Sequence, residues 1–262
     1  MRSRGLGSLS VVSLLVYGCA THPVTAGIEP PRGDAPRATD ARGHMSTRAG
    51  RPGMVVAAPH GTTDTRTGDM AAGIARRTGF GLVVATGFAL EPDTKEQPGR
   101  RFQVNRPFDG IPGRGPADER ATPEARAVYE EYERRVRHTA SGALRFYVEI
   151  HGNNRHDTAT RIEIATVGVD HADALRLRTL LELTRDAYLR SHREAPRLEV
   201  LVEPADRVFY AAGGAKRDGI LRWPARALHI ELPRAARHEF RDVFTAILAD
   251  FLTEAAALRP LP

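Results

Sequence analysis

The chain has 262 residues, 41% of them hydrophobic, with a formal net charge of +6 and a sequence pI near 10.0. That is enough apolar material for one substantial core, and the lone cysteine, Cys19, excludes an internal disulfide framework. The positive charge is almost all arginine, since Lys95 and Lys216 are the only lysines, and it is scattered without aromatic interleaving. No nucleic-acid partner is therefore expected, whereas a basic domain suits an anionic, carboxylate-bearing substrate.

Arg2 and Arg4 precede an apolar stretch from Leu6 to Val16 that is too short to span a bilayer. Leu15-Val16-Tyr17-Gly18-Cys19 resembles a bacterial lipoprotein signal, in which the cysteine is lipidated and becomes the new N-terminus. Residues 1–19 are read as that signal, with Cys19 as the lipidation site and an ordinary signal peptide or an incidental apolar start as the competing readings. The expected location is the bacterial cell envelope, with the lipid anchor as the only membrane contact. Ala20 after the cysteine suits the outer membrane, facing the periplasm. Thr21 to Pro52 is rich in Pro, Gly, Thr, Ala and Arg without apolar periodicity, so residues 20–52 read as a disordered tether and 53–262 as the folded domain.

Met54 to Pro59 reads as a buried strand ending at a proline. Asp69 to Thr78 reads as a short helix with Asp69 as its cap, and Gly81 to Thr86 as a second buried strand. Phe88 to Gly115, with many Gly, Pro and charged residues, reads as a long functional loop. Thr122-Pro123-Glu124 opens a helix expected to reach Thr139, with Thr122 capping and Pro123 at the first position. Strands follow at Leu144–Ile150 and Arg161–Thr166, a long helix at Asp170–Ser191, strands at Leu198–Glu203 and Ala227–Leu232, and a closing helix at Arg234–Leu258. Strands alternating with helices predict an α/β sandwich.

Four segments at strand ends or in the long loop carry candidate chemistry, where open α/β sheets place their sites. Pro59-His60-Gly61-Thr62-Thr63-Asp64 puts an imidazole and a carboxylate on one tight loop, able to face a single Zn²⁺. The bland alternative is that His60 caps the sheet while Asp64 or Asp69 caps the next helix. Tyr147 to Asn153 again ends an apolar strand in His-Gly, and His151 completes three ligands with His60 and Asp64, leaving room for water. Asp69 is the fallback for the acidic ligand, and His156 and Asp157 compete from a loop. Asn105-Arg106 can clamp a carboxylate, the guanidinium in bidentate fashion and the amide through a hydrogen bond; alone it would read as a surface turn. Glu231 lies near the C-terminal end of an apolar strand, where a carboxylate is costly unless paired or working. It is the candidate general base, with a salt bridge to Arg234 or Arg237 as the alternative; His229 is read as sharing its neighbourhood only loosely.

The order of these pieces resembles the N-formylglutamate amidohydrolase-like group within the zinc carboxypeptidase and aspartoacylase/succinylglutamate desuccinylase superfamily. The resemblance covers about Met54 to Leu258 and departs at Thr63, where the usual spacing has a glutamate. It implies a three-layer fold with a mixed, twisted sheet between helices. It also implies zinc as cofactor and hydrolysis of an amide bond near a free carboxylate, with a small-molecule or peptide substrate. Zinc N-acetylmuramoyl-L-alanine amidases are the runner-up resemblance, through His60-Gly61 and Ile150-His151-Gly152-Asn153. A non-catalytic ligand-binding lipoprotein is the third reading.

Overall fold

The computed structural model describes residues 43–112 and 114–258. The expected signal with Cys19, and the expected tether up to residue 42, lie outside the described residues. The fold begins earlier than Gly53. His44–Arg48 form strand β1 and Arg51–Ala58 form β2, so the last part of the expected tether is edge strand instead. A five-residue polar strand carries no apolar period; it is recruited by pairing with its neighbour.

The remaining elements are α1 (Thr67–Thr78), β3 (Phe80–Thr86), β4 (Arg101–Phe102), β5 (Asp109–Gly110), α2 (Pro123–Ala140), β6 (Phe146–Gly152), β7 (Arg161–Val167), α3 (His171–Leu189), β8 (Glu199–Val202), α4 (Gly213–Asp218), β9 (Arg226–Leu232), α5 (Arg234–Arg237) and α6 (Arg241–Ala257). Thr122 caps α2 by accepting from Ala125 N ahead of Pro123, and Asp170 caps α3 by accepting from Asp173 N. Asp69 does not cap α1; the helix starts two residues earlier and Asp69 sits in its first turn, where a carboxylate meets the positive end of the helix dipole. The expected closing helix is interrupted at His238, whose φ of −114° and ψ of −84° leave the helical region.

Seven strands form one mixed sheet in the order β1-β3-β2-β6-β9-β7-β8. The central four, β3, β2, β6 and β9, run parallel, while β1 is antiparallel to β3, β7 is antiparallel to β9, and β8 runs parallel to β7. On one face Val56, Val148, Ile150, Leu228 and Ile230 pack against Ile74 of α1, Leu177 of α3 and Phe244, Ile247 and Phe251 of α6. On the other, Val55, Ala57, Tyr147 and Ala227 pack against Val128, Tyr132 and Val136 of α2. The result is a three-layer α/β sandwich with a mixed sheet at its centre. Each fully buried aliphatic side chain contributes about 1.5–3 kcal/mol. The chain leaves β2 toward β3 and later returns to β6 on the opposite side of β2, so a crevice opens at the C-terminal ends of β2 and β6. Among the described residues no helix is long and apolar enough to cross a membrane.

Glu131 fastens α2 to the sheet edge. Burial opposes its ionisation, but Arg134 and Arg135 more than offset that and hold its pKa down at about 2. Arg135 also donates to Met45 O of β1 at 2.8 Å. Because the folded value is depressed, this stabilisation is present in full above the ordinary value of 4.5 and is lost as pH falls toward about 2. Glu131→Gln should therefore cost roughly 1–2 kcal/mol at pH 7, after allowance for the solvent-facing arginines, and much less at pH 2.5. Urea unfolding at the two pH values checks this; an equal loss at both would show that the charge contributes nothing.

Candidate metal centre

Strand alternation decides which side chains meet. On β6, Tyr147, Glu149 and His151 share one face, and the parallel register with β9 sets Glu149 beside His229 and His151 beside Glu231. The intervening Val148, Ile150 and Ile230 face the apolar layer behind. β2 lies on the other side of β6, with Ala57 opposite Glu149, so the loop that follows β2 hangs over the end of β6.

That loop brings His60 and Asp64 to His151. Asp64 Oδ2 lies 3.3 Å from His60 Nδ1 and 3.3 Å from His151 Nδ1, and the three ligand atoms fall within 4.8 Å of one another. Gly152 N donates to the same oxygen at 3.3 Å. Both His-Gly pairs have a steric cause. A Cβ on Gly61 would meet Val84 at 2.9 Å, and one on Gly152 would meet Arg237 Nε at 2.4 Å.

The far nitrogen of each ring is fixed by an acceptor. His60 Nε2 lies 2.9 Å from Gln103 O, and His151 Nε2 lies 3.1 Å from Glu149 Oε2. A carbonyl and a carboxylate only accept, so both Nε2 atoms carry protons, and in the neutral rings both Nδ1 atoms present lone pairs toward Asp64. Three acceptors then converge on one point, which a cation fits and a void does not. The spacing agrees, since two ligand atoms ~2.0–2.1 Å from a tetrahedral Zn²⁺ lie about 3.3–3.4 Å apart. An acceptor behind each histidine is the usual support of a metal-binding imidazole. The two carboxylates, Asp64 and Glu149, also draw positive charge to this point, as a cation or as a second proton on His151. Burial opposes charge on Asp64, yet the two imidazoles hold its carboxyl well below the usual carboxylate range. Burial likewise opposes charge on His151, but Asp64 and Glu149 push its pKa up to about 10.

Glu149 is completely buried and gathers four donors: Asn105 Nδ2 (3.2 Å), Tyr147 OH (3.1 Å), His151 Nε2 (3.1 Å) and His229 Nδ1 (2.9 Å). Burial works against its charge, but His151 and His229 keep the carboxyl well below the usual range. The loop carrying Gln103 and Asn105 needs a tight turn. Asn105 N bonds to Gln103 O at 2.6 Å across Val104, whose φ of 58° is rare for a β-branched residue. Such a conformation costs on the order of 1–3 kcal/mol and recurs at functional sites.

A cavity of about 580 Å³ opens over these groups, with His60, Asp64, His151, Arg106, Tyr210 and Glu231 among its lining. Glu231 Oε1 is 3.3 Å from His229 Nε2, while its buried Oε2 has no hydrogen-bond partner. His229 is thus a close neighbour of Glu231, not a loose one, because residues two apart on a strand share a face. Glu231 forms no ion pair with Arg234 or Arg237 among the described residues. Arg106 pairs with Glu119 but keeps a buried Nε without a partner. Asn105 does not offer its amide N–H to the cavity; Glu149 takes it, and only the buried Oδ1 remains free.

Asp69 lies away from the histidines, exposed and paired with Arg66 at 3.2 Å, so of the two carboxylates it is Asp64 that meets them. Asp157 pairs with Arg155 at 2.7 Å on the surface, and neither it nor His156 joins the cluster. Glu149, His229 and Gln103 have no assigned part in the site from sequence, His229 being given only a loose place beside Glu231. For the first two the signal was present: each stands two residues from a residue that has one.

No protein-family profile and no curated protein matches the chain. Solved structures similar in fold include a bacteriophage poly-gamma-glutamate hydrolase (TM-score 0.46, 14% identity, 82% of this chain and 88% of that one). A metallo-carboxypeptidase from Burkholderia cenocepacia aligns with TM-score 0.39 and 12% identity over 82% of this chain and 65% of that one. The N-acetylmuramoyl-L-alanine amidase AmiC2 of Nostoc punctiforme aligns with TM-score 0.35 and 11% identity over 80% and 100%. What the site can do is decided by its side chains.

Zinc or cobalt should bind with a stoichiometry near one. Asp64→Asn should abolish that binding, Glu149→Gln should weaken it ~10–100-fold, and Asp69→Ala should leave it unchanged. Metal content after gentle purification, followed by calorimetric titration, checks all three.

Proposed function

We propose that this chain is a zinc-dependent hydrolase that cleaves an amide bond near a free carboxylate, in an N-acyl amino acid or small peptide, in the manner of N-formylglutamate amidohydrolase-like enzymes. The observation that supports this most is the convergence of His60 Nδ1, Asp64 Oδ2 and His151 Nδ1, each imidazole backed by an acceptor on its other nitrogen. Three protein ligands of this kind leave a coordination position open, as hydrolytic zinc sites do.

Zn²⁺ held there supplies Lewis acidity and acidifies water. The chain's own residues do the rest. Glu231, with its free Oε2 at the cavity wall, takes the proton from water and returns it to the leaving amine. Arg106 offers its unpartnered Nε to a substrate carboxylate or to the developing oxyanion, and Asn105 orients Glu149 from behind. Arg101 and Arg155 are also in the lining, paired with Asp93 and Asp157, and a substrate carboxylate would compete with those partners for their guanidiniums. The Leu15–Cys19 signal supports a lipid-anchored protein of the cell envelope; Cys19→Ser should move it from the membrane fraction to the soluble one.

Glu231→Gln is expected to keep its metal while hydrolysis of a panel of N-acyl amino acids falls ~10²–10⁴-fold. Hydrolysis at the wild-type rate removes Glu231 as the base. Preference for muropeptides over N-acyl amino acids replaces this reading with a peptidoglycan amidase. A zinc-loaded wild type that binds N-acyl amino acids and turns over neither substrate class leaves a binding protein.

A further inference from the structure

We propose that Arg237 is the positioning residue of this centre: one buried guanidinium ties together the three loops that carry the metal ligands and the base. The inference rests on the metal reading above for its function, but not for its geometry.

Arg237 closes the short helix α5 and is fully buried. No carboxylate pairs with it among the described residues, and an unpaired charge in that position is expensive. Its donors account for how it is tolerated. Nε donates to Leu232 O at 3.2 Å. Nη1 donates to Thr65 O at 2.6 Å and to Thr65 Oγ1 at 3.2 Å. Nη2 donates to Asn153 O and to Asn154 Oδ1, both at 2.9 Å. A guanidinium has five N–H groups in a rigid fork, and each has its own acceptor here.

The acceptors belong to three separate strand ends. Thr65 follows Asp64 directly in the loop after β2. Asn153 and Asn154 follow the His151-Gly152 end of β6. Leu232 follows Glu231 at the end of β9. In each case Arg237 holds the chain within two or three residues of a ligand or the base, and it does so mainly through main-chain carbonyls, which no change of neighbouring side chain can remove. It is not in the cavity lining, so it does not touch substrate. A lysine offers three donors from one point and cannot span three loops. Gly152 belongs to the same device. A Cβ there would stand 2.4 Å from Nε and 2.5 Å from Cζ, so the guanidinium would have to leave its acceptors.

The test compares wild type, Arg237→Lys and Gly152→Ala by Co²⁺ titration, read from visible absorption, and by hydrogen exchange of the intact chain. Both variants should bind Co²⁺ ~10–100-fold more weakly, as loss of an outer support does, with an altered absorption band. Exchange should quicken together in 61–66, 152–155 and 232–236 while the central strands stay protected. Wild-type affinity and spectrum in Arg237→Lys, or quickening confined to 234–240, overturns the proposal. Should Arg237→Lys fail to fold, exchange in 232–236 of Gly152→Ala decides, since Gly152 N itself touches Asp64 and cobalt affinity there does not single out Arg237. If wild type itself takes up no cobalt, the metal reading falls, and hydrogen exchange alone then decides whether Arg237 ties the three loops.

Discussion

Glu149 is the residue on which the site depends. It stands in the middle of a central strand, with no solvent contact, where an uncompensated carboxylate would cost several kcal/mol. Asn105, Tyr147, His151 and His229 offset that cost, and the order imposed is as important as the energy. Tyr132 joins through its 2.8 Å contact with the Tyr147 hydroxyl. Burial, reinforced by the nearby Glu149 charge, raises both phenols well above their ordinary value, so they stay protonated. The network thus has one arrangement of donors and acceptors. In it His151 holds a proton on Nε2 toward Glu149 and turns Nδ1 to Asp64.

The same logic recurs at His60 with a main-chain carbonyl in place of the carboxylate. Gln103 O fixes Nε2, and the strained turn at Val104 lets one short loop reach His60 with one residue and Glu149 with another. The two histidines thus come from different strands, but their tautomers are set by two residues of one loop and its immediate partner. Around this acidic and imidazole cluster the cavity wall carries Arg101, Arg106 and Arg155. Each of these guanidiniums is paired with a carboxylate, Arg101 with Asp93, Arg106 with Glu119 and Arg155 with Asp157.

Much of the architecture was legible because buried parallel strands announce themselves as apolar runs and capped helices by their caps. Thr122-Pro123 and Asp170 begin helices where expected. β1 was missed since its five residues are mostly exposed and polar, and only pairing with β3 makes them a strand. The break between α5 and α6 was missed because nothing local forbids a helix there; the chain turns where Arg237 reaches the sheet ends. An Asn-Arg pair in a loop shows no sign of which partner is buried beneath it, so the sequence points Asn105 at substrate although its amide goes to Glu149.

Sequence alone determined the local chemistry: which strands end in histidine, which carry a carboxylate, and that these lie on the ends of a sheet. It could do so because alternation and capping are properties of a few consecutive residues. Only the tertiary structure set Asp64 rather than Asp69 beside the histidines, brought His229 and Glu149 next to them, and gave Arg237 its five acceptors. Those are distances between strands brought side by side by the sheet order, and no local pattern encodes them. The convergence of His60, Asp64 and His151 depends on parallel pairing of β2 with β6, two strands separated in sequence by nearly ninety residues.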